Sequence, residues 1–143
     1  MSEINSIQEE IIGEFEILGD DKESTIYYIM ELGDQLPEFP DKDKIEDNII
    51  KGCQSKVWLT SSLGDGKVYF QADSNTDITK GLISLLIRVL SGQPADEIIN
   101  ADLYFIEKIG MGNIIGSQRS NGLTAMIKQM KLFAIAYKAK INA

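Results

Sequence analysis

Histidine is absent from this chain of 143 residues, and cysteine and tryptophan occur once each, as Cys53 and Trp58. A single cysteine cannot close an internal disulfide, and one thiolate cannot supply the full ligand set of a closed zinc or iron–sulfur site. Without histidine, no imidazole of the same chain is available as a base toward the thiol. Any thiol chemistry of this protein therefore belongs to Cys53.

Positive charge and long apolar runs are also scarce. Lysine and arginine number 14 against 22 aspartates and glutamates, for a formal net charge of -8. This deficit argues against binding to nucleic acid or to an anionic membrane surface, and it suits a partner with a basic face. The longest apolar run, Gly81–Leu90, contains Arg88 and is too short to span a bilayer. The first residues lack the regions of a secretory signal, so we expect a cytoplasmic protein whose thiol stays reduced.

The apolar pattern and the turn residues predict one α+β domain over residues 1–143. Two N-terminal helices end near Leu18 and Leu36. Ser6–Glu9 fits a capping box that opens the first helix, and Asp20-Asp21 can cap the second. Gly64-Asp65-Gly66 predicts a β-hairpin turn. We expect a small antiparallel three-stranded sheet packed against these helices and a C-terminal helical group. The hairpin strands are Val57–Leu63 and Lys67–Ala72, and the last helix opens at Arg119.

The glycines of Gly110–Gly116 invite comparison with a nucleotide-binding loop. That interpretation is rejected because no strand precedes the segment and the glycine spacing misses the dinucleotide fingerprint. A glycine-rich connecting loop is the expected structure.

The residues next to Cys53 favour a reactive thiol. Gly52 precedes it, and glycine can adopt a positive φ or let another backbone come close. Lys51 and Lys56 flank it, and their charge would favour the thiolate, which is the reactive form.

The placement of Cys53 follows from the apolar pieces on either side of it. Ile49-Ile50 and Val57-Trp58-Leu59 are β-prone, which predicts that Cys53 lies on a tight connection between two short strands and is presented outward. The alternative is a small hydrophobe in the core, since free cysteine is among the most buried residue types.

Gly52-Cys53-Gln54-Ser55, followed after one residue by Val57-Trp58, resembles the signature of the SufE family, the sulfur-acceptor proteins that work with cysteine desulfurases in iron–sulfur cluster assembly. Three more segments resemble the family in the same order along the chain. They are a leucine-glycine and leucine-proline segment at Tyr28–Pro37, an aspartate-serine and lysine-glycine-leucine segment at Ala72–Ile83, and an arginine-x-asparagine-glycine-leucine segment at Arg119–Leu123.

The chain departs from the family pattern just before Arg119. Several relatives carry a histidine near Ile114 and a proline near Ser117, and neither is present here. A role that depends on that histidine therefore does not carry over to this chain.

The resemblance implies a sulfur carrier. Cys53 would accept sulfur from a pyridoxal-phosphate-dependent cysteine desulfurase of the SufS type, hold it as a persulfide, stimulate that enzyme, and pass the sulfur to a downstream iron–sulfur scaffold. The chain itself would need no cofactor or metal, because the pyridoxal phosphate belongs to the partner, and no independent catalysis is expected. The sequence leaves the oligomeric state open, a homodimer included.

The matching segments also nominate residues that support Cys53 or contact the partner. These are Gly52, Gln54, Ser55, Trp58, Asp73, Lys80, Gly81 and Arg119.

Several of these residues carry a structural expectation. Asp73 and the start of the next helix should surround Cys53, with Trp58 mostly buried. Glycine in a helix costs about 1 kcal/mol relative to alanine, so Gly81 predicts the close approach of another segment. A Cys53 loop that swings out would deliver the sulfur. Apolar walls around the resting persulfide would come from Ile50, Val57, Trp58 and Leu82.

Two other classes of function stay open. A scaffold for nascent iron–sulfur clusters would become coloured on anaerobic reconstitution, whereas a carrier would not. A one-cysteine thiol enzyme, such as a peroxidase, would consume peroxide by itself.

Overall fold

The computed structural model describes residues 2–142. It is an α+β fold with a three-stranded antiparallel sheet, and the predicted fold class is therefore confirmed. No helix in this range combines the length and the apolarity needed to cross a membrane. In chain order the elements are α1 (Glu3–Leu18), α2 (Lys22–Asp34), β1 (Val57–Gly64), β2 (Lys67–Ser74), α3 (Asp77–Leu90), β3 (Gln93–Pro94), α4 (Ala95–Ile99), α5 (Phe105–Lys108) and α6 (Met111–Ile141).

Side-chain caps determine where the two N-terminal helices begin. The Ser2 hydroxyl accepts a hydrogen bond from the Asn5 backbone N–H at 3.1 Å, so α1 starts at Glu3. The capping box predicted at Ser6–Glu9 was wrong, because Ser2 supplies an equivalent oxygen one turn earlier and Ser6 lies inside the helix. Asp21 caps α2 as predicted, and its carboxylate accepts from the backbone of Glu23 at 3.1 Å.

The β1–β2 hairpin has the turn that its sequence predicts. Asp65 and Gly66 have φ values of 52° and 77°, as the tight two-residue hairpin turn requires. The third strand is β3, whose Gln93 pairs with Val68 of β2. The strand expected at Ile49-Ile50 was wrong: Ile49 forms a single bridge to Trp58. A 3₁₀ turn ends just before Ile49 and the Cys53 loop begins just after Ile50, so the segment is too short to form a strand.

The two faces of the sheet differ in burial. Side chains alternate along a strand, so Val57 and Leu59 share the inner face, where both are buried. Trp58 and Asp73 pair directly across the hairpin and lie on the other face, where both are only partly buried. Helix α3 lies between the inner face and α2, and it contributes more buried apolar residues to the core than any other element of residues 2–142. Its buried apolar residues are Ile78, Leu82, Ile83, Leu85, Leu86, Val89 and Leu90.

Helix α6 contains the segment that the sequence predicted to be a glycine-rich loop. That prediction was wrong, because Met111 and Ile115 lie one turn apart and are both buried, which favours a helical turn. Gly116 then interrupts the helix with φ 81° and ψ 172°, a conformation restricted to glycine, and Arg119 lies in the turn that follows. The kink fixes the direction in which the long part of α6 crosses the Cys53 loop.

Candidate functional site

The loop that carries Cys53 is anchored to the segment between β2 and α3. The Lys56 backbone N–H donates to the side-chain oxygen of Asn75 at 3.0 Å. The Lys56 carbonyl accepts from the Ser74 hydroxyl at 2.8 Å and from the Asn75 backbone at 3.2 Å. At the other end, the Ile50 backbone N–H donates to the Val57 carbonyl at 2.8 Å. The loop is thus held at both ends, and residues 51–55 project between these anchors.

Two glycines let the loop lie directly against α6. Gly52 has φ 99°, and a side chain there would also approach the Ala125 methyl group to 3.3 Å. Gly122 faces Cys53, and a Cβ on Gly122 would lie 3.4 Å from the Cys53 sulfur. The thiol contacts the Gly122 carbonyl oxygen at a sulfur–oxygen distance of 3.5 Å.

Cys53 is therefore turned inward and half-buried, and the expectation of an outward-facing thiol was wrong. The sequence places it correctly on a tight loop. The loop, however, is covered by a helix that lies 69 residues further along the chain.

A small cavity of about 70 Å³ opens beside the Cys53 sulfur. Three nominated residues line it together with Cys53: Gln54, Ser55 and Arg119. Of the four apolar walls expected, Leu82 lines the cavity, whereas Ile50, Val57 and Trp58 are not part of its lining.

Sequence reasoning missed four further residues of the cavity lining. Gln118, Gly122 and Met126 recur every four residues and so lie on one face of α6. Thr79 precedes Leu82 by three residues on α3, which puts the two on the same face. This helical spacing was the available signal, and it becomes informative once one residue of each set is known to face Cys53.

The environment of Cys53 disfavours its charged form. Burial raises the pKa of the Cys53 thiol above its ordinary value. The expectation that Lys51 and Lys56 favour the thiolate was wrong, because both side chains are exposed and their charge is screened by solvent.

Trp58, Asp73 and Lys80 form a separate cluster with Lys44 on the outer face of the sheet. Asp73 forms ion pairs with Lys44 at 3.2 Å and with Lys80 at 3.6 Å, and the Lys44 ammonium lies 5.8 Å from the centre of the Trp58 ring. Burial alone would raise the pKa of Asp73, but the Ser74 N–H and the two lysines together hold it below its usual value. The cluster ties the chain before the Cys53 loop to the end of β2.

Two expectations about this cluster need correction. Asp73 does not line the Cys53 cavity, although the start of α3 does, through Thr79. Trp58 is only partly buried and lies outside the hydrophobic core, because it alternates with the buried Val57 and Leu59. Both residues therefore position the loop from the opposite face of the sheet.

Gly81 has a packing role. The backbone of α2 crosses α3 at this point, and a Cβ on Gly81 would overlap the carbonyl group of Ile29. On α2, Gly33 completes the crossing, since a Cβ there would lie 2.8 Å from the Gly81 nitrogen. The close approach predicted from a glycine inside a helix is thus present, at α2 rather than at Cys53.

Within residues 2–142 no group of three or more histidine, cysteine, aspartate or glutamate side chains is arranged to hold a metal ion. The site consists of one half-buried thiol, a small cavity lined by hydroxyl, amide and apolar groups, and one exposed guanidinium. This arrangement defines a small α+β protein with a single sheltered thiol.

Comparison with known proteins shows the family to which this chain belongs. The family model described as SufE, an Fe-S metabolism associated domain, matches residues 9–134. A SufE-like protein of Rhizobium etli is 39% identical over 128 residues, which cover 86% of each chain. A SufE-like protein of Synechocystis is 38% identical over 106 residues, which cover 74% of this chain and 67% of the relative. The chain belongs to the SufE family, and its role lies in iron–sulfur metabolism.

A solved structure shares the fold. The solution structure of a protein from Thermus thermophilus aligns with a TM-score of 0.74, covering 91% of this chain and 94% of the other. The sequences are 17% identical, so this comparison bears on the fold alone.

Proposed function

We propose that the protein is a sulfur carrier that accepts sulfur on Cys53 from a pyridoxal-phosphate-dependent cysteine desulfurase and delivers it for iron–sulfur cluster assembly. It would stimulate the desulfurase by removing the sulfur that otherwise occupies the enzyme's own cysteine. The observation that carries the proposal is the sole thiol of a SufE-family chain, located beside a cavity that has room for one more sulfur atom.

The transfer step is an exchange of one sulfur atom between two thiols. The Cys53 thiolate attacks the outer sulfur of the persulfide on the desulfurase. A new S–S bond forms on Cys53, the S–S bond of the desulfurase breaks, and the enzyme's cysteine leaves with the electron pair and takes up the proton. The sulfur atom moves without net oxidation or reduction, so the carrier needs no resident cofactor.

The inward position of Cys53 suits storage better than transfer. Persulfides are reactive species on the cysteine oxidation ladder, and the cavity would shelter the outer sulfur from small thiols and oxidants. Attack requires access, so residues 51–55 must swing away from α6 when the desulfurase docks. The long bond from the thiol to the Gly122 carbonyl is weak and offers little resistance.

The direct test is to mix the protein with a cysteine desulfurase and free cysteine and to record its intact mass. We expect a species heavier by one sulfur atom that a reducing agent removes. If the mass stays unchanged while the desulfurase turns over, the carrier proposal is wrong.

Arg119 should matter more for sulfur transfer than for folding. It is exposed, it makes no ion pair with any residue between 2 and 142, and a cation near the start of a helical segment gains nothing from the helix dipole. We expect Arg119→Ala to slow transfer by about tenfold, which corresponds to about 1.4 kcal/mol, with little change in melting temperature. Lys128→Ala, which removes an exposed cation from the same helix away from the cavity, is the matched control.

Salt dependence separates two roles for Arg119. Attraction of Arg119 to an acidic patch on the partner's surface weakens as ionic strength rises, whereas a close contact with the sulfur is screened less. If Arg119→Ala transfers sulfur at the parent rate at both low and high salt, Arg119 has no part in the function.

The raised pKa of Cys53 has a consequence for pH dependence. The native thiol should be alkylated by iodoacetamide with a midpoint at higher pH than the same chain unfolded in urea, because burial disfavours the thiolate. The native state keeps its proton where the unfolded chain has lost it, so folding stability should fall as pH rises through this interval. The midpoints of the two pH profiles, rather than the absolute alkylation rates, are compared because the accessibility of the thiol also differs between the native and the unfolded chain. A native midpoint at or below the unfolded one would contradict this account of the site.

A further inference from the structure

Thr79 is a buried polar residue of the cavity lining, and its hydroxyl makes only a weak hydrogen bond. It is only 5% exposed, and its hydroxyl donates to the Ser55 hydroxyl at 3.3 Å. That distance is well beyond the roughly 2.7–2.8 Å typical of hydroxyl–hydroxyl bonds. The Thr79 hydrogen bond is therefore weak, and the hydroxyl can turn to a better acceptor at little cost.

Ser55 has a proton to donate as well. Its hydroxyl shares a 2.9 Å hydrogen bond with the Thr76 hydroxyl and accepts the one from Thr79. A serine hydroxyl has one proton and two lone pairs. When Thr76 donates to Ser55, the proton of Ser55 is uncommitted, and it stays so when Thr79 turns away to another acceptor. Two hydroxyl protons, on Ser55 and Thr79, are thus available at a cavity whose lining contains no carboxylate.

The resting thiol is not the acceptor for these protons, since its contact is with the Gly122 carbonyl. A persulfide on Cys53 would extend about 2 Å beyond that sulfur, the length of one S–S bond. The cavity of about 70 Å³ has room for this atom, given that about 10–15 Å³ of cavity volume is enough to hold a water molecule. An anionic outer sulfur is an acceptor, and hydrogen bonds to ionised groups are stronger than those between neutral groups.

We propose that the hydroxyls of Ser55 and Thr79 form the donor site for the outer sulfur of a Cys53 persulfide and hold that sulfur as an anion inside the cavity. The inference rests on the proposed function. It assigns Ser55 and Thr79 a direct contact with the transferred atom, and Arg119 is the charged residue that lines the same cavity.

The persulfide can be made without a desulfurase, which keeps this test independent of the proposed function. Cys53 first reacts with a symmetrical aromatic disulfide: its thiolate attacks one sulfur, a mixed disulfide forms on Cys53, and one aromatic thiolate leaves with the electron pair of the broken S–S bond. Hydrosulfide is then added. Hydrosulfide attacks the Cys53 sulfur, a new S–S bond forms, and the aromatic thiolate leaves with the electron pair of the old one, favoured by its low pKa. The persulfide pKa is then read from its ultraviolet absorbance as a function of pH.

We expect Thr79→Val to raise the persulfide pKa by about one unit, a tenfold change in its ionisation constant, because the anion loses a donor. Ser55→Ala should shift it in the same direction. Thr79→Ser keeps the hydroxyl and should restore the parent value, which a purely structural role of Thr79 would not predict. Thr60→Val, on the outer face of β1, is the matched control and should leave the pKa unchanged.

Equal persulfide pKa values in the parent, Thr79→Val and Ser55→Ala would overturn the inference, as would a Thr79→Ser variant that behaves like Thr79→Val. Failure of the proposed function would instead appear as an absence of sulfur uptake from a desulfurase, whatever the titration gives. The two failures are therefore distinguishable.

Discussion

Cys53→Ser should reduce sulfur acceptance from a cysteine desulfurase to background, because the chain has no other thiol. A serine hydroxyl is nearly the same size but does not accept persulfide sulfur under these conditions. The fold should persist, since serine is nearly isosteric with cysteine and the thiol's hydrogen bond to the Gly122 carbonyl, at 3.5 Å, is weak. We expect the free energy of unfolding in urea to change by less than about 1 kcal/mol. Intact mass after incubation with the desulfurase and cysteine measures the loss.

A binding measurement makes this result specific. Cys53→Ser should still bind the desulfurase, because the proposed contact surface includes Arg119 and residues around the loop that the substitution leaves in place. Sulfur mass on the serine variant would contradict the carrier proposal. An unfolded serine variant would show instead that Cys53 is mainly structural.

The parts of the fold that sequence predicted well depend on neighbouring residues. The hairpin turn follows from Asp65-Gly66, which tolerate positive φ, and the start of α2 follows from the short carboxylate of Asp21. Both are decided within a few residues. The SufE signature around Cys53 is equally local, and it indicates the family without reference to any tertiary contact.

The errors concern features that depend on distant segments. The burial of Cys53 is caused by α6, which covers the loop, and this burial raises the pKa of the thiol whatever the charge of the flanking residues. The helical turn before Gly116 depends on burial of Met111 and Ile115, which overrides the glycines around them. Local composition contains neither piece of information.

Trp58 is an instructive exception, because its position could have been inferred. The period of a strand is two residues, so burial of Val57 and Leu59 requires Trp58 to face the other way. The expectation of a buried tryptophan rested on residue type and ignored this alternation. The contact of Trp58 with Lys44 could not be predicted from the sequence, and neither could the ion pairs of Asp73 beside it. These contacts join three separate segments of the chain.

Gly81→Ala should strongly destabilise the protein, although it adds only one methyl group. An alanine Cβ would overlap the carbonyl of Ile29, and backbone cannot move aside as a flexible side chain can. Overpacking typically costs about 1–3 kcal/mol and more where the neighbour is rigid, and the higher helix propensity of alanine returns only about 1 kcal/mol. We expect a net loss of about 3 kcal/mol in the free energy of unfolding, or roughly 10 °C in melting temperature.

Two other glycines make this a controlled experiment. Gly33→Ala, at the α2 side of the same crossing, should also destabilise, since its Cβ would lie 2.8 Å from the Gly81 nitrogen. Gly13→Ala, in α1 with no atom within 4 Å of the added Cβ, should leave stability unchanged or raise it by up to about 1 kcal/mol. If Gly81→Ala were as stable as Gly13→Ala, the α2–α3 crossing would not be as close as the structure has it. The lysine-glycine-leucine segment would then need an explanation at the Cys53 site instead.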